Sequence, residues 1–162
     1  MIRDQETINQ LITLIDRFVS ERLIPRETEL AESGALPEDI LDEMKSMGLF
    51  GLTIPEEFGG LGLTMEEEIQ VAISLGRTSP AFRSIMGTNN GIGSAAIVFN
   101  GTDEQKKKYL PKYASGEWIS CFCLTEPEAG SDAASLKTNA VRDRCLSQYI
   151  YVAPGNTKRN WI

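Results

Sequence analysis

Apolar residues recur at Ile8, Leu11, Ile12, Ile15, Phe18, Val19 and Leu23. That three-four spacing predicts a helix from Asp4 to Leu23 with one buried stripe. "PRETELAESG" predicts a second, short helix closed by Gly34. "LPEDILDEMKSMG" places Pro37 at a helix's first position, acids in its first turn and Gly48 as its stop. "LFGLTIPEEFGGLGLT" holds four glycines and one proline, so it reads as a loop whose apolar residues pack on the body. Thr64 and Glu67 then form a capping box for a helix reaching Leu75, with Ile69, Val71, Ala72 and Leu75 as expected core residues. Ser79 and Pro80 open the next helix, whose middle, "GTNNGIGSAA", is rich in glycine and asparagine. "AAIVFNG" restores the apolar pattern and stops at Gly101. Thr102 and Gln105 cap "DEQKKKYLPKYASG", in which Lys106, Lys107 and Lys108 form a solvated face.

The period changes near Gly116. "EWISCFCLT" is aromatic, β-branched and cysteine-rich, the pattern of a buried strand. "SLKTNAVRD" alternates apolar and polar residues as a second strand, and "SQYIYVAP" reads as a third. The expected fold class is α+β: an all-α helical bundle over residues 1–115, then the first strands of an incomplete β domain over 116–162. So few strands are marginally stable alone. The expectation is therefore a fragment of a longer protein.

Composition narrows the chemistry. Sixteen basic against twenty-three acidic residues leave a net charge of −7. No basic surplus exists to neutralise nucleic-acid phosphates, and no window approaches the ~20 apolar residues of a membrane span. The N-terminus "MIRDQETINQ" is charged from its third residue, unlike a secretory signal. Three cysteines, an odd count, fit reduced thiols and a cytoplasmic location. There is no histidine. That removes Ser-His and Cys-His nucleophiles and the commonest general base. Cys121, Cys123 and Cys145 are either buried apolar thiols or a three-thiolate site for a soft metal.

The most specified stretch is "CFCLTEPEAGSD". Thr125 offers a hydroxyl, and Gly130 and Ser131 allow close backbone approach and suit a phosphate. Asp132 caps the next element or closes an Asx-turn. The residues also fit a tight turn punctuated by proline and glycine, with no ligand.

"CFCLTEPEAGSDAASLKT" resembles the flavin-binding signature of acyl-CoA dehydrogenases. "MKSMGLFGLTIPEEFGGLGLT" and "GTDEQKKKYLPKYASGEW", in that order before it, are similar to the same family's N-terminal region. The resemblance covers residues 1–143. It implies FAD as cofactor, with Phe122, Leu124 and Thr125 along the flavin ring. Gly130 and Ser131 would lie by the ribityl and pyrophosphate, Ser131 also near the acyl-CoA substrate. Family members usually carry an aromatic residue at the Phe122 position, often hydroxylated, and a phenyl ring has no hydroxyl to donate. Apart from the family, Phe122 and Leu124 read equally well as core residues. By spacing, "GTNNGIGS" aligns with the base of the acyl pocket, where Thr88 and Ile92 would face the chain; its glycines also fit close helix packing.

The implied reaction removes an α-proton from an acyl-CoA and passes the β-hydride to flavin N5. In the family the base is a glutamate of the C-terminal domain, so no catalytic residue is assigned here. An electron-transferring flavoprotein is the implied electron acceptor, and a tetramer the implied full-length assembly. The tail "YVAPGNTKRNWI" departs from the family pattern, as does "RDRCLSQYIY", and a reading-frame slip would explain both. Trp161 would match the aromatic residue stacked at the flavin. A non-catalytic helical interaction module without flavin is the competing reading.

Overall fold

The computed structural model describes residues 5–122, 124–143 and 148–152. It divides into two compact units, Met1–Phe122 and Cys123–Ile162. Trp161, Cys123, Cys145 and the departing tail from residue 153 lie outside the described residues.

The first unit is helical. Helix α1, Gln5–Phe18, buries Ile8, Ile15 and Phe18. The predicted helix continues past Phe18 in altered form, as a π-helical turn over Val19–Leu23 closed by a hydrogen bond from the Ile24 N–H to the Val19 carbonyl. Pro25 accounts for the change. It has no N–H, and its ring would press on the carbonyl four residues back, so a wider turn relieves the clash. Val19 and Leu23 stay buried through it. A 3₁₀ turn, Ile24–Arg26, leads into α2, Glu27–Ser33, which ends at Gly34 with φ of 65°. Helix α3 is Glu38–Ser46. Pro37 precedes its first residue rather than occupying it, and its carbonyl accepts the Leu41 N–H at 3.0 Å. Arg22 and Arg26 both pair with Asp39, which ties the α1–α2 corner to α3.

The segment from Leu49 to Thr64 is a loop with a buried interior. Its two 3₁₀ turns are Leu49–Gly51 and Glu56–Phe58. Leu49, Phe50, Leu52, Ile54 and Leu63 are buried. The chain doubles back on itself: Leu61 N–H donates to Gly51 O and Leu63 N–H to Leu52 O, each at 2.7 Å. Gly60 is required there, since a Cβ would fall 2.0 Å from the Ile54 carbonyl oxygen.

Helix α4, Met65–Leu75, carries both halves of the predicted Thr64–Glu67 capping box. Val71 and Leu75 are in the core, but Ile69 is 52% exposed, contrary to the sequence pattern. Helix α4 is apolar on more than one side, and the side bearing Met65, Ile69 and Ile73 faces outward. The glycine-rich stretch after Ser79 forms two helices: α5, Pro80–Asn90, and α6, Ile92–Asn100, interrupted at Gly91. Helix α7, Asp103–Ala114, has the predicted Thr102–Gln105 box. The main core joins α1, α3, α4, α5 and the buried loop. A smaller one sets Ile54 against Leu110 and Ala114 of α7. Among the described residues, no helix is long and apolar enough to cross a membrane.

The strand expected over 117–125 is not shown: its described residues, 117–122, 124 and 125, form no strand, and Ile119, Phe122 and Leu124 are 47%, 55% and 39% exposed. A buried strand needs a neighbour to take its backbone N–H and C=O groups and cover its side chains. None of the described residues lies beside this segment as a strand. Cys121, expected among buried thiols, is exposed. In the second unit, β1 (Asn139–Asp143) and β2 (Gln148–Val152) pair antiparallel, with Val141 opposite Ile150.

Candidate functional site

The residues singled out by sequence fall in both units. Thr88, Ile92 and Phe122 belong to the first, and Leu124, Thr125, Gly130 and Ser131 to the second.

In the first unit, adjacent asparagines at the end of α5 organise the surroundings of Thr88 and Ile92. Asn89 is fully buried. Its Nδ2 donates to the carbonyls of Tyr113 (3.0 Å) and Trp118 (2.9 Å). Its Oδ1 accepts from the Ser120 N–H (2.7 Å) and hydroxyl (2.9 Å). Asn90 faces the buried loop. Its Oδ1 accepts the Leu52 N–H at 2.7 Å, and its Nδ2 donates to Leu49 O (2.6 Å) and Met86 O (3.2 Å). Consecutive helical residues point about 100° apart, so one pair of amides holds two separate segments. Gly93, near the start of α6, meets the same segment. A Cβ there would sit 1.9 Å from Ser120 Oγ, so residue 120 is seated directly on the helix backbone. Thr88 is half-buried and Ile92 is 59% exposed. Gly87 has nothing within 4 Å of a Cβ position. Close packing thus explains Gly93 but leaves Gly87 open.

Phe122 and Leu124 are exposed in this chain.

In the second unit, residues 125–132 form a closed turn. Glu126 and Ala129 exchange two backbone hydrogen bonds, at 3.0 and 3.2 Å. Thr125 lies immediately before this pair and Gly130 and Ser131 immediately after it, all exposed. A Cβ at Gly130 would meet nothing within 4 Å. Asp132 accepts the Ser135 hydroxyl (2.5 Å) through its side chain and the Ser135 N–H (3.1 Å) through its carbonyl. Its side chain therefore binds a hydroxyl rather than capping a backbone N–H.

Glu126 lies in the marked stretch "CFCLTEPEAGSD" but is not among the site residues expected from sequence. It is only 8% exposed between exposed neighbours. Its Oε1 accepts the Thr138 N–H at 2.7 Å and the Thr138 hydroxyl, and its Oε2 accepts the Lys137 N–H at 2.9 Å. The Thr138 hydroxyl first, then the Lys137 N–H, hold the carboxyl below the usual glutamate range. Glu128 pairs with the Lys137 ammonium. Both carboxylates near the turn are therefore engaged. No group of three or more metal-ligating side chains occurs among the described residues. The donors around the turn are hydroxyls and backbone amides, with the Lys137 ammonium taken up by Glu128, a set suited to the polar edge of a planar heterocycle or a phosphate oxygen.

Comparison with known proteins points in one direction. The model of the family "Acyl-CoA dehydrogenase, N-terminal domain" matches residues 5–117. The chain is 38% identical over 157 residues to the very long-chain specific acyl-CoA dehydrogenase, mitochondrial, of Macaca fascicularis, covering 97% of this chain and 23% of that protein. It thus spans under a quarter of this curated relative. An acyl-CoA dehydrogenase from Bacillus anthracis, solved in complex with FAD, superposes with a TM-score of 0.79 at 33% identity, covering 91% of this chain and 25% of its own. A chain from the structure named "Electron transferring flavoprotein of Acidaminococcus fermentans: Towards a mechanism of flavin-based electron bifurcation" superposes with a TM-score of 0.81 at 29% identity, over 93% of this chain and 39% of that one.

Proposed function

The chain belongs to the acyl-CoA dehydrogenase family, and on that premise we propose that it is the N-terminal part of a flavin-dependent enzyme that oxidises acyl-CoA thioesters between Cα and Cβ. The observation that carries the proposal is the closed turn presenting Thr125 on one side and Gly130 and Ser131 on the other. Bound FAD would supply the hydride acceptor, at its N5. The Thr125 hydroxyl would bond the ring's polar edge. Phe122 and Leu124, both exposed, are assigned to the flavin ring through the family pattern. Gly130 and Ser131 would take the ribityl and pyrophosphate, since no side chain obstructs Gly130. Trp161 is assigned the ring-stacking role through the family pattern alone. The likeness to a dehydrogenase solved with FAD supports the cofactor.

For the substrate, Ser131 is assigned to the acyl-CoA, and Thr88 and Ile92 to the far end of its acyl chain. Open space at Gly87 supports room there. No residue of this chain is assigned as the base, and the engagement of Glu126 and Glu128 supports leaving both out. Residues 1–115 are read as the helical domain and 116–162 as the start of a β domain. An electron-transferring flavoprotein as acceptor, a homotetramer and a cytoplasmic location complete the proposal; the location rests on the odd cysteine count alone.

The test is to express the full-length gene and purify its product. A yellow protein whose flavin band bleaches on adding an acyl-CoA supports the reading. A folded, colourless protein that takes up no added FAD overturns it in favour of a helical interaction module.

A further inference from the structure

We propose that Glu126 is a positioning residue for the flavin turn, acting through the Lys137–Thr138 backbone rather than on flavin or substrate. The inference rests on the flavin reading above. Glu126 does two things at once. Its backbone closes the four-residue turn with Ala129. Its carboxylate reaches eleven and twelve residues along the chain and binds three donors, the Lys137 N–H, the Thr138 N–H and the Thr138 hydroxyl. The two backbone bonds set the separation of Thr125 from Gly130 and Ser131. The others fix the turn against the residues that lead into β1 at Asn139. The turn's other acidic side chains hold it less firmly: Asp132 reaches only Ser135, and the Glu128–Lys137 pair is solvent-exposed.

The donor pattern makes the carboxylate hard to replace. Two oxygens face N–H and O–H donors only. In Glu126→Gln, the amide NH₂ would have to face either the Lys137 N–H or the Thr138 pair, donor against donor. Glu126→Asp keeps the charge but shortens the reach by one methylene. The negative charge is spent on backbone N–H groups, which removes Glu126 from proton transfer and leaves the turn's outward hydroxyls and amides for a ligand.

The experiment uses full-length holoenzyme, stripped of flavin and reconstituted with FAD. The variants are Glu126→Gln, Thr138→Val and Thr138→Ser. The readouts are FAD dissociation constant, the resolved flavin absorption band, and the melting temperature of the flavin-free protein. Expected are an FAD affinity weakened about ten-fold or more in Glu126→Gln and several-fold in Thr138→Val, with a blurred flavin band, and recovery to within about two-fold in Thr138→Ser, which keeps the hydroxyl. The flavin-free melting temperature should move little in Thr138→Val. Unchanged FAD affinity and spectrum in Glu126→Gln would overturn the proposal. So would FAD affinity that tracks the flavin-free melting temperature across all three variants, because that is a general fold effect. A wild-type protein that binds no FAD would overturn the flavin reading itself, a result distinct from either of these.

Discussion

Asn89 and Ser120 are joined twice: one side-chain oxygen of Asn89 accepts both the backbone N–H of Ser120, at 2.7 Å, and its hydroxyl, at 2.9 Å. With the carbonyls of Tyr113 and Trp118 on the opposite side of the amide, every hydrogen-bonding position of a fully buried side chain is used. Asn89→Ala would take away the hydrogen bonds of the Trp118 carbonyl and the Ser120 N–H, while the Tyr113 carbonyl keeps the Gly116 N–H at 3.1 Å. We expect a loss of about 2–4 kcal/mol, more than an average substitution. Asn89→Asp should do no better, since its carboxylate would face the carbonyls that now receive Nδ2. Thermal melting of the full-length protein checks both. A shift under about 2 °C for either would show that the segment does not depend on Asn89.

Two glycines in neighbouring helices should respond to alanine with opposite sign. Gly87 lies within α5 and has open space where a Cβ would go, so Gly87→Ala should stabilise by about 0.5–1 kcal/mol through helix propensity. Gly93→Ala enjoys the same propensity gain but drives its methyl onto Ser120 and to 2.8 Å from the Thr88 carbonyl oxygen. Neither neighbour is a free chain end, so a net loss of about 1–3 kcal/mol is expected. Equal effects in denaturant unfolding would contradict the packing described for residue 120.

Ser94 carries a buried hydroxyl without a hydrogen-bond partner. An unmade bond of that kind costs stability, and alanine removes it while improving helix propensity. Ser94→Ala should be neutral or stabilising by up to about 1 kcal/mol. A marked destabilisation on thermal melting would mean the hydroxyl has a role that its surroundings do not reveal.

Acid should loosen the Glu126–Ala129 turn late. Glu126 has its pKa lowered by the Thr138 hydroxyl and then the Lys137 N–H, against partial desolvation. Lys137, paired to Glu128, is the charged group that adds to this effect. Because the folded value lies below the unfolded one, the stabilisation is complete above the pKa of an ordinary glutamate. It disappears as pH falls through the lowered value. On the proposed flavin reading, flavin release followed by fluorescence should therefore begin below the ordinary glutamate range, and Thr138→Val should shift its midpoint upward. An unshifted midpoint in that variant would detach Glu126 from the turn's acid sensitivity.

Local signals in the sequence carry far. Both capping boxes, the left-handed glycines at Gly34 and Gly48, and the apolar stripe of α1 are set by residues within a few positions of one another. The features that escape depend on distant partners. Ile69 fits a core pattern, yet α4 has apolar residues on several sides, and only the packing of α1 and α5 decides which side turns inward. Residues 118–124 have strand composition, but composition cannot supply a neighbouring strand. The asparagines at 89 and 90 read as a weak point in a helix because their partners are 24 to 41 residues away, apart from Met86. Around Thr125 and Ser131 the sequence marks the candidate residues. It does not show that Glu126 closes the turn, since that depends on Lys137 and Thr138 coming alongside.

The doubled-back segment from Leu49 to Thr64 has a practical meaning for anyone attaching an epitope or fluorophore. Its glycines suggest a permissive splice point, but Gly60 lies against the Ile54 carbonyl and Asn90 grips Leu49 and Leu52, so added residues there would pull apart the interior. Gly34 has the same permissive composition and nothing crowding it, and a tag belongs at that corner instead.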